Sequence, residues 1–364
     1  MSIVRPAAVA ARLRALRRLA DRCRRDEAAR DRAVTRRLIV AEPRGFCAGV
    51  ERAVQAVNRE LDVWGPPVYV RRHVVHNAHV VAELEARGAV FVESVVEVPP
   101  SARVVFAAHG VSPSVVEAST RRGHQVVDAT CPLVNKVHAE VRRYASAGYR
   151  IVLIGHAGHD EVIGTMGQAP ESIVLVETAA QAQVLDLDVR DKLAYATQTT
   201  LSVDETAEII AVLRARFPDI VGPEKDDICY ATTNRQIAVK RLAVDADAVV
   251  VVGSRESSNS KRLVETARAC GVPAWLVDDE RELDPEALDA FETIGVTSGA
   301  STPDWIFDAV CLWFRNRGVQ DVVTLAPVVR EDVVFKLPSA VASSARRAVG
   351  SPGSDDAAGS AVRT

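Results

Sequence analysis

The chain has 364 residues, 48% of them hydrophobic and 26% charged, enough to build two or three modest domains. A net charge of −3 excludes an overall basic field of the kind that drives nucleic-acid or membrane binding. No run of apolar residues reaches bilayer-spanning length, the N-terminus lacks a secretory pattern, and six scattered cysteines are too few for a disulfide framework, so a cytoplasmic protein with free or metal-ligating thiols is expected.

Residues 1–37 carry twelve arginines against four acids, with Leu13, Leu16 and Ala20 at helical spacing. This reads as a basic, solvated N-terminal extension in which Cys23 is a helical side chain. From Leu38 onward strands and helices alternate. Strands are expected at Leu38–Ala41, Val68–Val70, Val104–Ala107, Gln125–Val127, Arg150–Ile154, Ile173–Val176, Leu193–Ala196, Ala248–Val252, Ala274–Val277 and Thr293–Thr297. Helices are expected at Val50–Leu61, Ala78–Arg87, Pro113–Arg122, Leu133–Ser146, Thr233–Val244 and Lys261–Cys270. A capping box at Ser202-Val-Asp-Glu205 opens a further helix to Phe217, and the last starts near Pro303. Strands separated by helices imply parallel sheets and an α/β class. The segment from Ser339 to Thr364, rich in Ala, Ser, Gly and Pro, is expected to be disordered.

Three cysteines stand apart from the other three. Cys47, Cys131 and Cys229 lie 84 and 98 residues apart in turn-forming sequence, each just ahead of a helix. They divide the chain into three α/β units of similar size, and a thiol at a helix N-terminus is favoured as thiolate, the ligating form. Cys23, Cys270 and Cys311 sit in helical sequence without polar company and are expected to be small buried apolar residues. No Cys-x-x-Cys occurs, which disfavours a zinc ribbon or a bacterial ferredoxin-type centre, while spacing alone leaves zinc and a three-thiolate iron–sulfur cluster open.

Polar loops follow the strands: His73-Val-Val-His76-Asn77, Ala108-His109-Gly110-Val-Ser112, Gly155-His156-Ala-Gly-His159-Asp160-Glu161, Thr199-Thr200, Gly253 to Ser260, and Ser298-Gly-Ala-Ser301. Hydroxyls, amides, histidines and helix N-termini together suit phosphate oxygens. Asn77 and Ser260 read as helix caps.

The ordered series Arg44-Gly-Phe-Cys-Ala-Gly-Val50, Val75-His-Asn77, Ala108-His-Gly-Val-Ser-Pro113, Asp128-Ala-Thr-Cys-Pro132, Gly164-Thr-Met-Gly-Gln168, Thr197-Gln-Thr-Thr-Leu-Ser202, Cys229-Tyr-Ala-Thr-Thr-Asn-Arg-Gln236 and Ser257-Ser-Asn-Ser260 resembles the 4-hydroxy-3-methylbut-2-enyl diphosphate reductase family, over about Leu38 to Leu337. The resemblance implies three similar α/β units with mainly parallel sheets arranged as a trefoil around a central [4Fe–4S] cluster. Its ligands would be Cys47, Cys131 and Cys229, leaving one open iron site. The implied divisions are a basic N-terminal extension (1–37), α/β units at 38–131, 132–226 and 227–337, and a disordered tail (338–364).

The implied activity is reductive dehydroxylation of (E)-4-hydroxy-3-methylbut-2-enyl diphosphate to isopentenyl and dimethylallyl diphosphate, with a ferredoxin or flavodoxin as electron donor. His76, His109, Ser257, Asn259 and Ser301 would hold the diphosphate, with Ser258 beside them. His159, Glu161, Thr199 and Thr200 would surround the hydroxymethyl end, and Glu161 would be the proton source. Three positions depart from the family pattern: Asp160 stands where Pro is usual, Glu256 where Asn is common and His73 where an acid is frequent. Two rivals remain at this stage, a zinc-dependent hydrolase using the same thiols and a redox-sensing or ligand-binding relative that has kept the cluster without turnover.

Overall fold

A computed structural model describes residues 35–188, 190–327 and 329–341. The basic N-terminal segment up to residue 34, including Cys23, and the tail from residue 342 lie outside the described residues. The described residues divide into two compact units, one made of residues 35–45 and 233–331, the other of 46–232 and 332–341.

The first unit holds a five-stranded sheet in the order β10-β9-β11-β1-β12, from β1 (Arg37–Val40), β9 (Ala248–Val252), β10 (Ala274–Val277), β11 (Thr293–Ser298) and β12 (Asp321–Thr324). Every pairing is parallel. β9 is Ala-Val-Val-Val-Val with all five residues buried, the unbroken β-branched run expected of an inner parallel strand covered on both faces. On one face Ile306, Phe307, Val310 and Phe314 of a helix at Asp304–Asn316 fill a core with Leu38, Val250 and Val296. On the other, Val239 and Leu242 of the helix Tyr230–Asp245 and Leu263 and Val264 of the helix Ser258–Ala269 pack on Ile39, Val249 and Val251.

The second unit holds two parallel sheets. One has the order β3-β2-β4-β5, from β2 (Val68–Arg71), β3 (Ala89–Val92), β4 (Arg103–Phe106) and β5 (Gln125–Asp128). The other has the order β7-β6-β8, from β6 (Arg150–Ile154), β7 (Ile173–Val176) and β8 (Leu193–Thr197). Helix α1 (Ala48–Trp64) lays Ala53, Ala56, Val57 and Leu61 on Val68, Val70, Val105 and Val127. Helices α2 (Ala78–Ala86) and α3 (Pro113–Arg121) follow β2 and β4. Helix α4 (Pro132–Ser146) places Val137, Val141 and Tyr144 against Ile151, Leu153, Ala194 and Ala196 of the second sheet. Helix α5 (Asp160–Met166) follows β6, α6 (Ala179–Val184) follows β7 and α7 (Val203–Arg216) follows β8, its N-cap Ser202 accepting a hydrogen bond from the Glu205 amide as the capping box requires. The remaining helices in chain order are α8 (Tyr230–Asp245), α9 (Ser258–Ala269), α10 (Pro285–Leu288) and α11 (Asp304–Asn316).

Three expectations change. β1 does not join the strands that follow it: it pairs with β11 and β12, so the division at residues 38–131 splits where β1 leaves for the sheet of the last segment. Parallel pairing brings together strands far apart in sequence, which local patterns do not report. The tail does not lose its structure at Pro338, because Val341 is 1% exposed in the α1 core, with Leu337 and Ala340 packed against it and the Lys336 carbonyl accepting from Arg52 Nε at 2.8 Å. Cys270 is exposed at the C-cap of α9, so it is not the buried apolar residue expected, whereas Cys311 is buried in the α11 core.

Candidate active site

In a parallel sheet all strands end on one edge, and the loops leaving that edge lead into helix N-termini. Cys47 is the N-cap of α1 and Cys131 the N-cap of α4, and Cys229 directly precedes α8. Cys229 Sγ accepts a hydrogen bond from the Thr232 amide at 3.4 Å and lies 3.1 Å from Thr232 Oγ1, while its own amide donates to the Thr199 carbonyl at 3.0 Å. The amides of Leu133 and Val134 are aimed at the Cys131 sulfur. Each of the three cysteines stands at the start of a helix, where the dipole favours negative charge.

The sulfurs converge. A Cβ placed on Gly49 would lie 2.7 Å from Cys131 Sγ and 3.8 Å from Cys47 Sγ, so only glycine leaves room for both. Lost hydration, reinforced by the neighbouring Cys47 and Cys229 sulfurs, pushes the Cys131 thiol up to about 12. Lost hydration, with Cys47 and then Glu161 adding to it, pushes Cys229 up to about 11. Three thiolates so placed repel one another unless a cation lies between them, which is the donor set a metal centre requires.

Glu161, in the first turn of α5, is 2% exposed. Its Oε1 accepts from the Thr199 amide at 2.6 Å and its Oε2 from Thr199 Oγ1 at 2.9 Å. Burial, assisted by the Asp227 charge and opposed by the two Thr199 hydrogen bonds, raises its carboxyl to about 7. Both oxygens keep a further lone-pair direction, so the group can carry a proton near neutral pH. His159 caps α5 through its side chain: Nδ1 accepts from the Glu161 amide at 3.2 Å, which leaves Nε2 to carry the proton of the neutral ring.

His76, His109 and His159 form a cluster within the same unit. The rings of His76 and His109 stack with centroids 4.1 Å apart, and His159 stands edge-on to both at 5.3 and 5.8 Å. Close packing of α5 on the His109 loop makes this possible, because a Cβ on Gly164 would sit 3.3 Å from the Gly110 carbonyl. Asn77 caps α2 as expected, accepting from the His79 and Val80 amides. Thr200 Oγ1 accepts from Gln198 Nε2 at 2.9 Å, and Gln198 Oε1 accepts the His156 amide, tying the loops after β6 and β8 together.

In the five-stranded unit the loops after β9 and β11 meet at the start of α9. Asn259 Oδ1 accepts from the Ala300 amide at 2.9 Å, beside Ser301, and Ser258 opens α9. The helix cap is Ser257, whose Oγ accepts from the Ser260 amide. Ser260, expected to cap, is instead a buried wedge: a Cβ on Gly299 would meet its Oγ at 2.1 Å. Extended backbone at Ser257 (φ −74°, ψ 113°) decides which serine of the run caps.

Sequence reasoning assigned no role to several residues that shape these loops. Arg52 Nη1 donates to the Thr130 carbonyl, next to Cys131, at 3.0 Å. Asp227 is 4% exposed, accepts from the Thr197 amide at 3.0 Å and pairs with Lys136 Nζ at 3.1 Å. Arg72 and Asp160 form an ion pair that ties the loop after β2 to the loop after β6. Arg235, fully buried, donates to the Gly45 carbonyl at 2.8 Å and pairs with Glu331 at 3.1 Å. Thr232 could have been found from its position three residues after Cys229, where a helix-start sulfur meets an amide.

Residues 38–315 match the family model described as LytB protein. The chain belongs to the LytB protein family. Among curated members, the 4-hydroxy-3-methylbut-2-enyl diphosphate reductase of Acidothermus cellulolyticus is 55% identical over 304 residues, covering 83% of this chain and 89% of that protein. The reductase of the same name from Mycobacterium leprae is 52% identical over 309 residues, covering 85% and 93%. Among solved structures, the E-1-hydroxy-2-methyl-but-2-enyl-4-diphosphate reductase from Plasmodium falciparum superposes with a TM-score of 0.84 at 38% identity, over 86% of this chain and 99% of that one. The LytB match, the parallel α/β sheets and the similarity to that structure agree with the fold class expected from the sequence.

Proposed function

We propose that the chain is an enzyme that reductively dehydroxylates (E)-4-hydroxy-3-methylbut-2-enyl diphosphate to isopentenyl and dimethylallyl diphosphate, the terminal step of the non-mevalonate route to isoprenoid precursors. The single observation that carries the reading is the gathering of the Cys47 and Cys131 sulfurs over Gly49, with Cys229 in their electrostatic reach and a buried carboxyl, Glu161, raised to about 7 beside it. Overall, two electrons and two protons are consumed, a C–O bond breaks, a C–H bond forms and the hydroxyl leaves as water.

Cys47, Cys131 and Cys229 fit a [4Fe–4S] cluster through their places at helix starts and their convergence, and the Cys131 and Cys229 thiolates, costly in isolation, call for a cation beside them. When bound, that cluster supplies one-electron chemistry and one iron without a protein ligand. The chain's own residues do the rest. Glu161 holds a proton for the departing hydroxyl, and Thr199 fixes its carboxyl through two hydrogen bonds. His159, with Nδ1 committed to its helix, presents Nε2–H as a donor, and Thr200 lies in the same loop as Thr199. His76 and His109 are the proposed diphosphate donors. The family resemblance also assigns Ser257, Ser258, Asn259 and Ser301 to the diphosphate. The proposed electron donor is a ferredoxin or flavodoxin.

No helix among the described residues is long and apolar enough to cross a membrane. The test is anaerobic purification with iron and sulfide analysis, followed by product identification with a chemical reductant. Four irons and both products support the reading, whereas stoichiometric zinc in a colourless, inactive protein favours the hydrolase.

A further inference from the structure

The histidine cluster has a feature that diphosphate binding does not call for. A carboxylate, Asp160, is aimed at it, at the position where the family resemblance leads one to expect proline. One donor atom each from His76, His109 and Asp160 lie within 4.8 Å of one another, all three side chains being partly buried. An acid beside an anion-binding histidine pair is electrostatically unhelpful for diphosphate, whereas two imidazoles and one carboxylate are a common donor set for a borderline-soft divalent cation.

We infer that His76, His109 and Asp160 form a binding site for a single Zn2+ ion, separate from the three cysteines, and that the ion and the substrate diphosphate exclude each other. His109 Nδ1 is buried and makes no hydrogen bond, so its lone pair or its proton is unspent. Lost hydration first, then the neighbouring His76, His159 and His73 rings and the Arg72 cation, hold His109 well below the usual imidazole range, in the neutral form that ligates. Arg72 donates to Asp160 Oδ1, which orients the carboxylate and leaves Oδ2 for the ion, as hydrogen bonds commonly brace ligating carboxylates. Bonds of about 2.0–2.2 Å in a tetrahedron put donors about 3.3 Å apart, so the three must close by about 1.5 Å at most, within reach of side-chain rotation. The Arg72 charge weakens the site without abolishing it. Exclusion of the diphosphate rests on the proposed role of His76 and His109; ion binding does not.

The test uses anaerobic, oxidised, cluster-loaded enzyme titrated with zinc chloride by calorimetry while the cluster's visible absorption is followed. One equivalent of Zn2+ should bind with the absorption unchanged, and Asp160→Asn and Asp160→Pro should each weaken binding at least ~10-fold, the lower end for loss of a group supporting a metal site. Zn2+ should raise the apparent KM of the parent enzyme, and Asp160→Asn should be at least ~10-fold less sensitive; complexation of substrate by Zn2+ in solution affects both proteins equally. Unaltered affinity in Asp160→Asn, no zinc uptake, or uptake accompanied by bleaching of the cluster overturns the site. Asp160-dependent binding that leaves KM unchanged overturns the exclusion, and with it the assignment of His76 and His109 to the diphosphate.

Discussion

Glu161→Gln separates the proposed proton donor from a merely structural carboxyl. The side chain is 2% exposed and both oxygens are engaged by Thr199, so glutamine fits the same space and keeps an acceptor for the Thr199 amide, while the Thr199 hydroxyl rotates to accept from the new amide group. What is lost is the acidic proton. Loss of a general acid costs typically 10²–10⁴ in rate, so turnover should fall at least ~100-fold, about 2.7 kcal/mol of transition-state stabilisation.

Stability should move the other way. The carboxyl is raised from 4.5 to about 7 on folding, so the folded state holds the proton more tightly. That contribution is complete below pH 4.5 and is lost as pH rises through about 7, a cost on the order of 3 kcal/mol above neutrality that glutamine does not incur. Glu161→Gln should therefore melt at or above the parent at pH 8 and show little difference at pH 5. The parent's kcat should fall on the basic side with an apparent pKa near 7, and the variant's residual rate should lack that limb. Steady-state turnover with a chemical reductant, alongside thermal melts of cluster-loaded protein, reads both. Near-normal turnover in Glu161→Gln would refute the proton-donor role and shift it to His159 or Thr199.

Cys47→Ser, Cys131→Ser and Cys229→Ser should each lose or impair the cluster, seen as lost broad absorption near ~400 nm, whereas Cys270→Ser and Cys311→Ser should retain it. Gly49→Ala puts a methyl group 2.7 Å from Cys131 Sγ and should reduce iron content as severely as loss of a ligand, with the far-ultraviolet circular dichroism unchanged. Removing residues 1–34 and 342–364 should leave specific activity within about twofold, whereas Val341→Ala, in the core under α1, should cost roughly 1–3 kcal/mol by denaturant titration.

Much of the fold could be read locally. The Ala248–Val252 run is buried from end to end, and the capping box at Ser202 starts its helix where expected. The elements not foreseen are short or only half-buried: β3, with Val90 exposed, β12, with no fully buried residue, α6, of six residues, and α10, of four. α5 was hidden because its start looks like a glycine-flanked loop and its cap is a histidine, an unusual capping residue. The polar loops after strands were visible as loops, and the histidine cluster could be anticipated from them. The Thr199–Glu161 pair, the Asp160–Arg72 pair and the Asp227 contacts were not, because each joins segments brought together only by parallel pairing and helix packing. The switch of the cap from Ser260 to Ser257 shows the limit of motif reading: four adjacent polar residues each can cap, and backbone geometry chooses one.

The most direct test of the account is a single-turnover reaction of anaerobically purified protein, reduced chemically and mixed with (E)-4-hydroxy-3-methylbut-2-enyl diphosphate, with products resolved by mass spectrometry and iron quantified on the same sample. The account predicts about four irons per chain and conversion to isopentenyl and dimethylallyl diphosphate with release of water. A cluster-loaded, reduced protein that binds the substrate and returns it unchanged would contradict it.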